Sequence, residues 1–308
     1  MDTDYKILVI VVSYNGAAII DGCLSPLFPC GPAIRVLLVD NGSADGTAEY
    51  VRAHYPCVEV LQTGKNLGFG AANNIGFRYA FEHGFDYVYL LNQDARIAPE
   101  DIVRLAGINA ACPEYGIISP LQVYAGGTRL DYNFSRTLPA DLVNDCVLGV
   151  AGDAAVYATD RSVQAAHWLI SCDVLKKVGA FSPAFFHYGE DVNLCHRMRY
   201  HGYKVGIVPS VRAVHDREHR EYSEEKELFL LAQRWRVLLS DPNVSNMQGC
   251  KEVIKSVRSS LRRFKFKLAG PFVKFCKEYG RLIKIKKRSL AEGCFFERQP
   301  RSCRQLCK

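Results

Sequence analysis

Ile7-Leu8-Val9-Ile10-Val11-Val12 runs without a polar residue and then breaks at Ser13-Tyr14-Asn15-Gly16. A continuous β-branched run bounded by a turn cluster reads as a strand buried on both faces, as in a parallel sheet. The pattern recurs downstream. Val36-Leu37-Leu38-Val39-Asp40 ends in Asn41-Gly42-Ser43-Ala44-Asp45-Gly46-Thr47, a turn cluster with helix-capping residues. Tyr87-Val88-Tyr89-Leu90-Leu91 ends in Asn92-Gln93-Asp94. Helices are expected after residue 16, over 47–54 and 71–83, and from Pro99, a position where proline is tolerated. Residues 58–62 read as another strand. Strand and helix alternating at this spacing predict an α/β fold with a mainly parallel sheet. Ligands of such sheets bind beyond the carboxyl ends of the strands, where all three polar clusters fall.

Further along, residues 115–165 loosen into short strands and glycine-rich turns. Residues 166–172 are strand-like or core, and 174–178 form a short helix. Then comes Phe185-Phe186-His187-Tyr188-Gly189-Glu190-Asp191, two adjacent carboxylates behind an aromatic wall. Poor solvation there lets a carboxylate be tuned as a base; Glu and Asp also suit the first turn of a helix. Two apolar runs, 205–208 and 211–214, flank Pro209 and end at His215. Past residue 222 the character changes to helices, acidic at first and then basic and amphipathic, with a break at Asp241-Pro242-Asn243. Two regions are expected, 1–222 and 223–308.

The 308 residues, 48% hydrophobic and 23% charged, are ordinary globular material. No apolar stretch approaches the roughly 18–20 residues that span a bilayer. The acidic start, Met1-Asp2-Thr3-Asp4, shows no secretory signal, which predicts a cytosolic chain. The twelve cysteines form no C-x-x-C pair. They are expected as free thiols, with Cys57, Cys172 and Cys195 as core fillers. Net charge is divided. Residues 251–308 carry 18 Lys+Arg against four Glu, whereas 1–250 carry 21 against 28 Asp+Glu. An acidic body with a basic tail suits an anionic membrane surface or a nucleic acid.

The strand-end residues suggest chemistry. Tyr14 is either sheet-edge packing or a platform for a nucleobase. Asp40 either accepts from a base or ribose hydroxyl or caps the next helix. Asp94 can present one carboxylate to Mg²⁺ or Mn²⁺, ions that favour oxygen ligands, and His215 can add an imidazole. The G-x-G-x-x-G fingerprint is absent after the first strand, against a nicotinamide or flavin enzyme.

As an ordered set, the motifs resemble family-2 glycosyltransferases. They are Val12-Ser13-Tyr14-Asn15-Gly16, residues 39–47, the run 66–76 (NLGFGAANNIG), Leu90-Leu91-Asn92-Gln93-Asp94, the Glu190-Asp191 stretch, and Pro209 with His215. The resemblance covers roughly residues 6–220 and is nearest to the rhamnosyltransferase-like branch.

It implies a GT-A fold, Rossmann-like with a mostly parallel sheet flanked by helices, to which the residues past 222 add a C-terminal helical extension. It implies a nucleotide-sugar donor bound by Ser13, Tyr14, Asn15, Asp40, Asn66, Gly68 and Asn73. Asp94 corresponds to the last carboxylate of the family's Asp-x-Asp motif, with His215 completing a Mn²⁺ or Mg²⁺ site. Asn92 stands in place of the first Asp, a weaker metal ligand able to hold sugar or ribose, with Gln93 beside it. Asp191, paired with Glu190, matches the catalytic base of an inverting displacement. Trp168 is read as an apolar wall for the sugar, or as core.

The implied reaction moves one sugar, from dTDP-rhamnose or a UDP-sugar, to a glycan or lipid-linked oligosaccharide in cell-surface polysaccharide synthesis. Gln233-Arg234-Trp235 is similar to a processive-synthase motif but has the wrong spacing. The basic tail predicts peripheral attachment to the inner face of a membrane. Two rival readings are a nucleotide-sugar-binding protein without transfer, and a nucleic-acid-binding protein acting through the tail. The second leaves the acidic body and its motifs unexplained.

Overall fold

The computed structural model describes residues 5–216 and 223–296. Nine strands form one sheet: β1 (Ile7–Ser13), β2 (Ile34–Asp40), β3 (Val58–Gln62), β4 (Tyr87–Asn92), β5 (Ala95–Arg96), β6 (Tyr115–Val123), β7 (Tyr157–Ala158), β8 (His167–Ser171) and β9 (Lys204–His215). Their order is β3-β2-β1-β4-β8-β6-β9-β5, with β7 also on β9. The β3-β2-β1-β4 half is wholly parallel. Alternate residues of β1 enter different cores: Leu8 and Ile10 on one face, Ile7, Val9 and Val11 on the other. Helix Phe69–Glu82 supplies Phe77 and Ala80 to the first face. Helices Thr47–His54 and Pro99–Ala111 supply Val51, Ile102 and Leu105 to the second. Hence the apolar runs carry no polar alternation: both faces are covered.

Beyond β4 the sheet is mixed. β8 runs antiparallel to β4 and β6, while β9 is parallel to β6 and antiparallel to β5 and β7. The two runs around Pro209 are one strand. Its pairing with β6 jumps from Pro120↔Val208 to Leu121↔Arg212, so the ladder bulges past Pro209, Ser210 and Val211. The loosened stretch contains a helix that periodicity misses, Ala140–Leu148, ended by Gly149 in the left-handed conformation.

The C-terminal helices Glu224–Ser240, Asn246–Phe264 and Ala269–Arg288 enclose their own core around Trp235, Phe264 and Phe275. Trp235 is fully buried and donates from Nε1 to Ser256 Oγ at 3.0 Å, a packing role for the Gln233-Arg234-Trp235 motif. Residues beyond the last helix return to the body, where Ala180 N–H donates to the Cys294 carbonyl at 2.9 Å.

One cysteine expectation is corrected. Cys30 and Cys57 form a disulfide, with Cα atoms 6.2 Å apart, and Cys57 is exposed. The segments preceding β2 and β3 bring two residues 27 apart in sequence to one sheet edge. Cys172 and Cys195 are buried core thiols as expected. Cys303 and Cys307 lie outside the described residues.

Candidate active site

Parallel pairing sets Ser13 beside Asp40 and Val12 beside Asn92, so three polar strand ends converge. Gln93 ties two of them. Its Oε1 accepts from Ser13 Oγ at 2.7 Å and from Tyr14 N–H at 3.0 Å. The turns after β1 and β2 are laced together: Asn15 N–H donates to Ser43 Oγ, and Asn15 Oδ1 accepts from Ala44 N–H, both at 2.9 Å. Asn15 takes a left-handed φ of 49° to do so. Asp40 is 1% exposed and accepts from Ser43 N–H at 3.2 Å, whereas the helix N-cap is Gly46. Tyr14 is 46% exposed, so its ring is available for stacking rather than packed on the sheet.

The run 66–76 acts mainly as a brace. Asn66 Oδ1 accepts from Asn41 Nδ2 and Gly68 N–H. A Cβ on Gly68, at φ +86°, would sit 2.1 Å from the Phe186 carbonyl oxygen, so only glycine lets these segments touch. Asn74, unmarked by the sequence reading, clamps the Phe181 backbone, accepting its N–H at 2.8 Å and donating to its carbonyl at 3.0 Å. Residues 68 and 74 thus hold the segment leading to Glu190 and Asp191. Asn73 is 1% exposed and donates to the Phe69 carbonyl within its own helix.

Asn92 Oδ1 is buried with no hydrogen-bond partner, an acceptor aimed at the strand-end region. Asp94 lies two residues on, and antiparallel pairing of β5 with β9 sets Ala95 opposite His215. His215 Nε2 stands 3.6 Å from Asp94 Oδ1. One carboxylate and one imidazole fit a divalent ion whose other positions go to phosphate oxygens and water. Among the described residues no group of three or more His, Cys, Asp or Glu side chains is gathered for a metal. Behind His215 lies His167, which sequence reading passes over. His167 Nε2 donates to the Val214 carbonyl at 3.0 Å, and its Nδ1 accepts from Tyr89 Oη at 2.9 Å. Burial first, then His215, pushes His167 down to about 3, so it stays neutral and structural.

Trp168, read as wall or core, is core. It is fully buried and lies near parallel to Phe181 (centroids 6.2 Å apart), which stacks on Phe77. The exposed aromatics are Phe186 and Tyr188, with Lys226 Nζ 4.1 Å from the Tyr188 ring centre.

Glu190 and Asp191 open helix Glu190–Tyr200 behind Gly189, which adopts φ +97°. Their environments separate them. Glu190 is buried with Oε2 unpartnered, and burial, then the Asp191 charge, pushes it up to about 8. Asp191 is half-buried, its Oδ1 accepting from Val192 N–H at 2.7 Å. The poorly solvated carboxyl is therefore the first of the pair, pushed toward its neutral form by burial. A carboxyl with a raised folded-state value stabilises the fold most below its ordinary 4.5, and that stability falls as pH rises to about 8. Glu190→Gln should flatten the decline in melting temperature across this window; an unchanged pH profile would refute the assignment.

A cavity lined by Cys30, Arg35, Cys57, Glu59 and Tyr79 lies at the opposite end of the strands, away from these motifs.

Comparison with known proteins bears on the family and the fold. The family model "Glycosyl transferase family 2" matches residues 8–177. The N-acetylglucosaminyl-diphospho-decaprenol L-rhamnosyltransferase of Mycobacterium tuberculosis is 29% identical over 236 residues, 68% of this chain and 76% of the relative. The rhamnosyltransferase WbbL of Escherichia coli is 23% identical over 244 residues, 75% and 89% of the two chains. The crystal structure of S. aureus TarS 1–349, solved also with UDP-GlcNAc, superposes with a TM-score of 0.55 at 14% identity, covering 92% of this chain and 82% of TarS. The mixed sheet with flanking helices is the GT-A fold, and the chain belongs to glycosyltransferase family 2.

Proposed function

We propose that this glycosyltransferase is an inverting, single-addition enzyme that moves a sugar, rhamnose first among candidates, from a dTDP- or UDP-sugar to a lipid-linked or glycan acceptor. The observation carrying the reading is the division of the acidic pair. Asp191 is a half-buried carboxylate beside the buried Glu190, on a helix whose preceding segment is braced against the strand-end loops through Gly68 and Asn74. Support for donor and acceptor comes from the relatives, two named rhamnosyltransferases, one of them for a decaprenyl-diphosphate-linked sugar.

In this mechanism Tyr14 stacks on the base, Asp40 accepts from base or ribose, and the unpartnered Asn92 Oδ1 accepts a donor hydroxyl. Asp191 takes the proton of the acceptor hydroxyl as its oxygen attacks the anomeric carbon and the nucleoside diphosphate leaves. Asp94 and His215 would hold a divalent ion, Mn²⁺ or Mg²⁺, whose chemistry is to neutralise charge on the departing diphosphate. Glu190, keeping its proton, avoids a second negative charge beside the base.

Donor hydrolysis across a nucleotide-sugar panel, with and without Mn²⁺, tests the reading. Turnover of dTDP-rhamnose should need the metal and fall by about a hundredfold or more in Asp94→Ala. Binding of no nucleotide sugar would leave a transferase fold without the activity. Metal-independent turnover, unchanged in Asp94→Ala, would remove Asp94 and His215 from the chemistry.

A further inference from the structure

Helix Asn246–Phe264 has two apolar rows at seven-residue spacing. Cys250, Val257 and Phe264 face the neighbouring helices and join their core. Met247, Ile254 and Leu261 do not: they are 67%, 49% and 49% exposed. Helical geometry sets Lys251, Lys255, Arg258 and Arg262, all exposed, alongside this second row on its outward side. Phe266, in the turn that ends the helix, is 94% exposed. The next helix adds exposed Lys274, Lys277, Lys284 and Lys287.

We infer that this face is a docking surface for an anionic phospholipid bilayer. One free apolar row flanked by cations is too narrow for a coiled-coil seam, which needs two rows per helix, and here the second row is already occupied. It matches an interfacial helix, with apolar side chains entering the headgroup–acyl boundary and cations on anionic headgroups. Nucleic acid would engage the cations but leave Met247, Ile254, Leu261 and Phe266 without a use. None of these residues belongs to the strand-end site, so the inference stands apart from the choice of donor and acceptor.

The test is co-sedimentation of the full chain with phosphatidylcholine vesicles, with and without phosphatidylglycerol. The protein should pellet with the anionic vesicles at low salt, stay in solution with the neutral ones, and weaken as salt is raised. Ile254→Ser/Leu261→Ser/Phe266→Ser should reduce the affinity about tenfold. Lys251→Gln/Lys255→Gln/Arg258→Gln/Arg262→Gln should reduce it about a hundredfold. Both sets are on the surface, so melting temperature and vesicle-free donor hydrolysis should match wild type. Failure of the wild type to pellet with anionic vesicles overturns the inference. So does tighter binding to a short duplex that ignores the apolar substitutions, which marks a nucleic-acid surface, or a dimer abolished by them, which marks a contact with a second copy.

Discussion

Asp191→Asn should lower sugar transfer by about a thousandfold or more, within the range that loss of a general base produces, while nucleotide-sugar affinity stays near wild type. The substitution keeps the side chain's shape and an oxygen able to accept from Val192 N–H. It removes the negative charge and with it the capacity to take a proton. The residues proposed to bind the nucleotide lie on other elements, at the ends of β1, β2 and β4, so binding and chemistry should separate cleanly. Glu190→Gln is the control: a residue already protonated loses little on becoming an amide, and its kcat should fall much less. Steady-state kinetics with nucleotide titration decides. Transfer persisting at the wild-type rate in Asp191→Asn would remove Asp191 as the base; joint loss of transfer and nucleotide binding would make it structural.

Arg197→Met should destabilise the protein by about 3 kcal/mol or more, by analogy with breaking buried charged networks. Arg197 is fully buried on the helix that carries Asp191. Its guanidinium donates to the carbonyls of Val178 and Ala180, to Asn193 Oδ1 and to Cys294 Sγ, and lies 5.1 Å from the Phe295 ring centre. It therefore joins the active-site helix to the segment before Phe181 and to the chain beyond the last helix. Met fills similar volume but removes the guanidinium donor from the buried Ala180 carbonyl and leaves the Val178 carbonyl only the weak Cys294 thiol, an unsatisfied buried group costing about 1–3 kcal/mol. Arg197→Lys should be nearly as damaging, because one ammonium cannot reproduce the planar fork. Urea unfolding measures it. A loss under about 1 kcal/mol would mean that water or a rearranged loop satisfies the carbonyls.

Much of the catalytic end is legible from residue order. Strand interiors and the polar residues that end them are contiguous in sequence, and parallel pairing aligns those ends without further information. Tyr14, Asp40 and Asp94 are therefore found where expected. The run 66–76 shows where such reading stops. Its asparagines and glycines look like ligand contacts, yet Asn73 bonds within its helix, and Asn74 and Gly68 brace the segment 181–186. The type of Asn74 is local, but its partner Phe181 is 107 residues away. The same limit hides helix Ala140–Leu148, whose Val143, Val147 and Leu148 stay exposed and so write no core periodicity.

Local residue order thus establishes the α/β architecture, the family resemblance and the acidic pair, because each depends on neighbours along the chain. Packing in three dimensions assigns the parts within the pair. Glu190 is buried at the start of its helix with Gly70 packed near its Cβ, while Asp191, one residue on, is half-buried. Burial pushes the Glu190 carboxyl toward its neutral form. Burial is a property of distant segments meeting, and so is the facing of Asp94 and His215 across two strand ends.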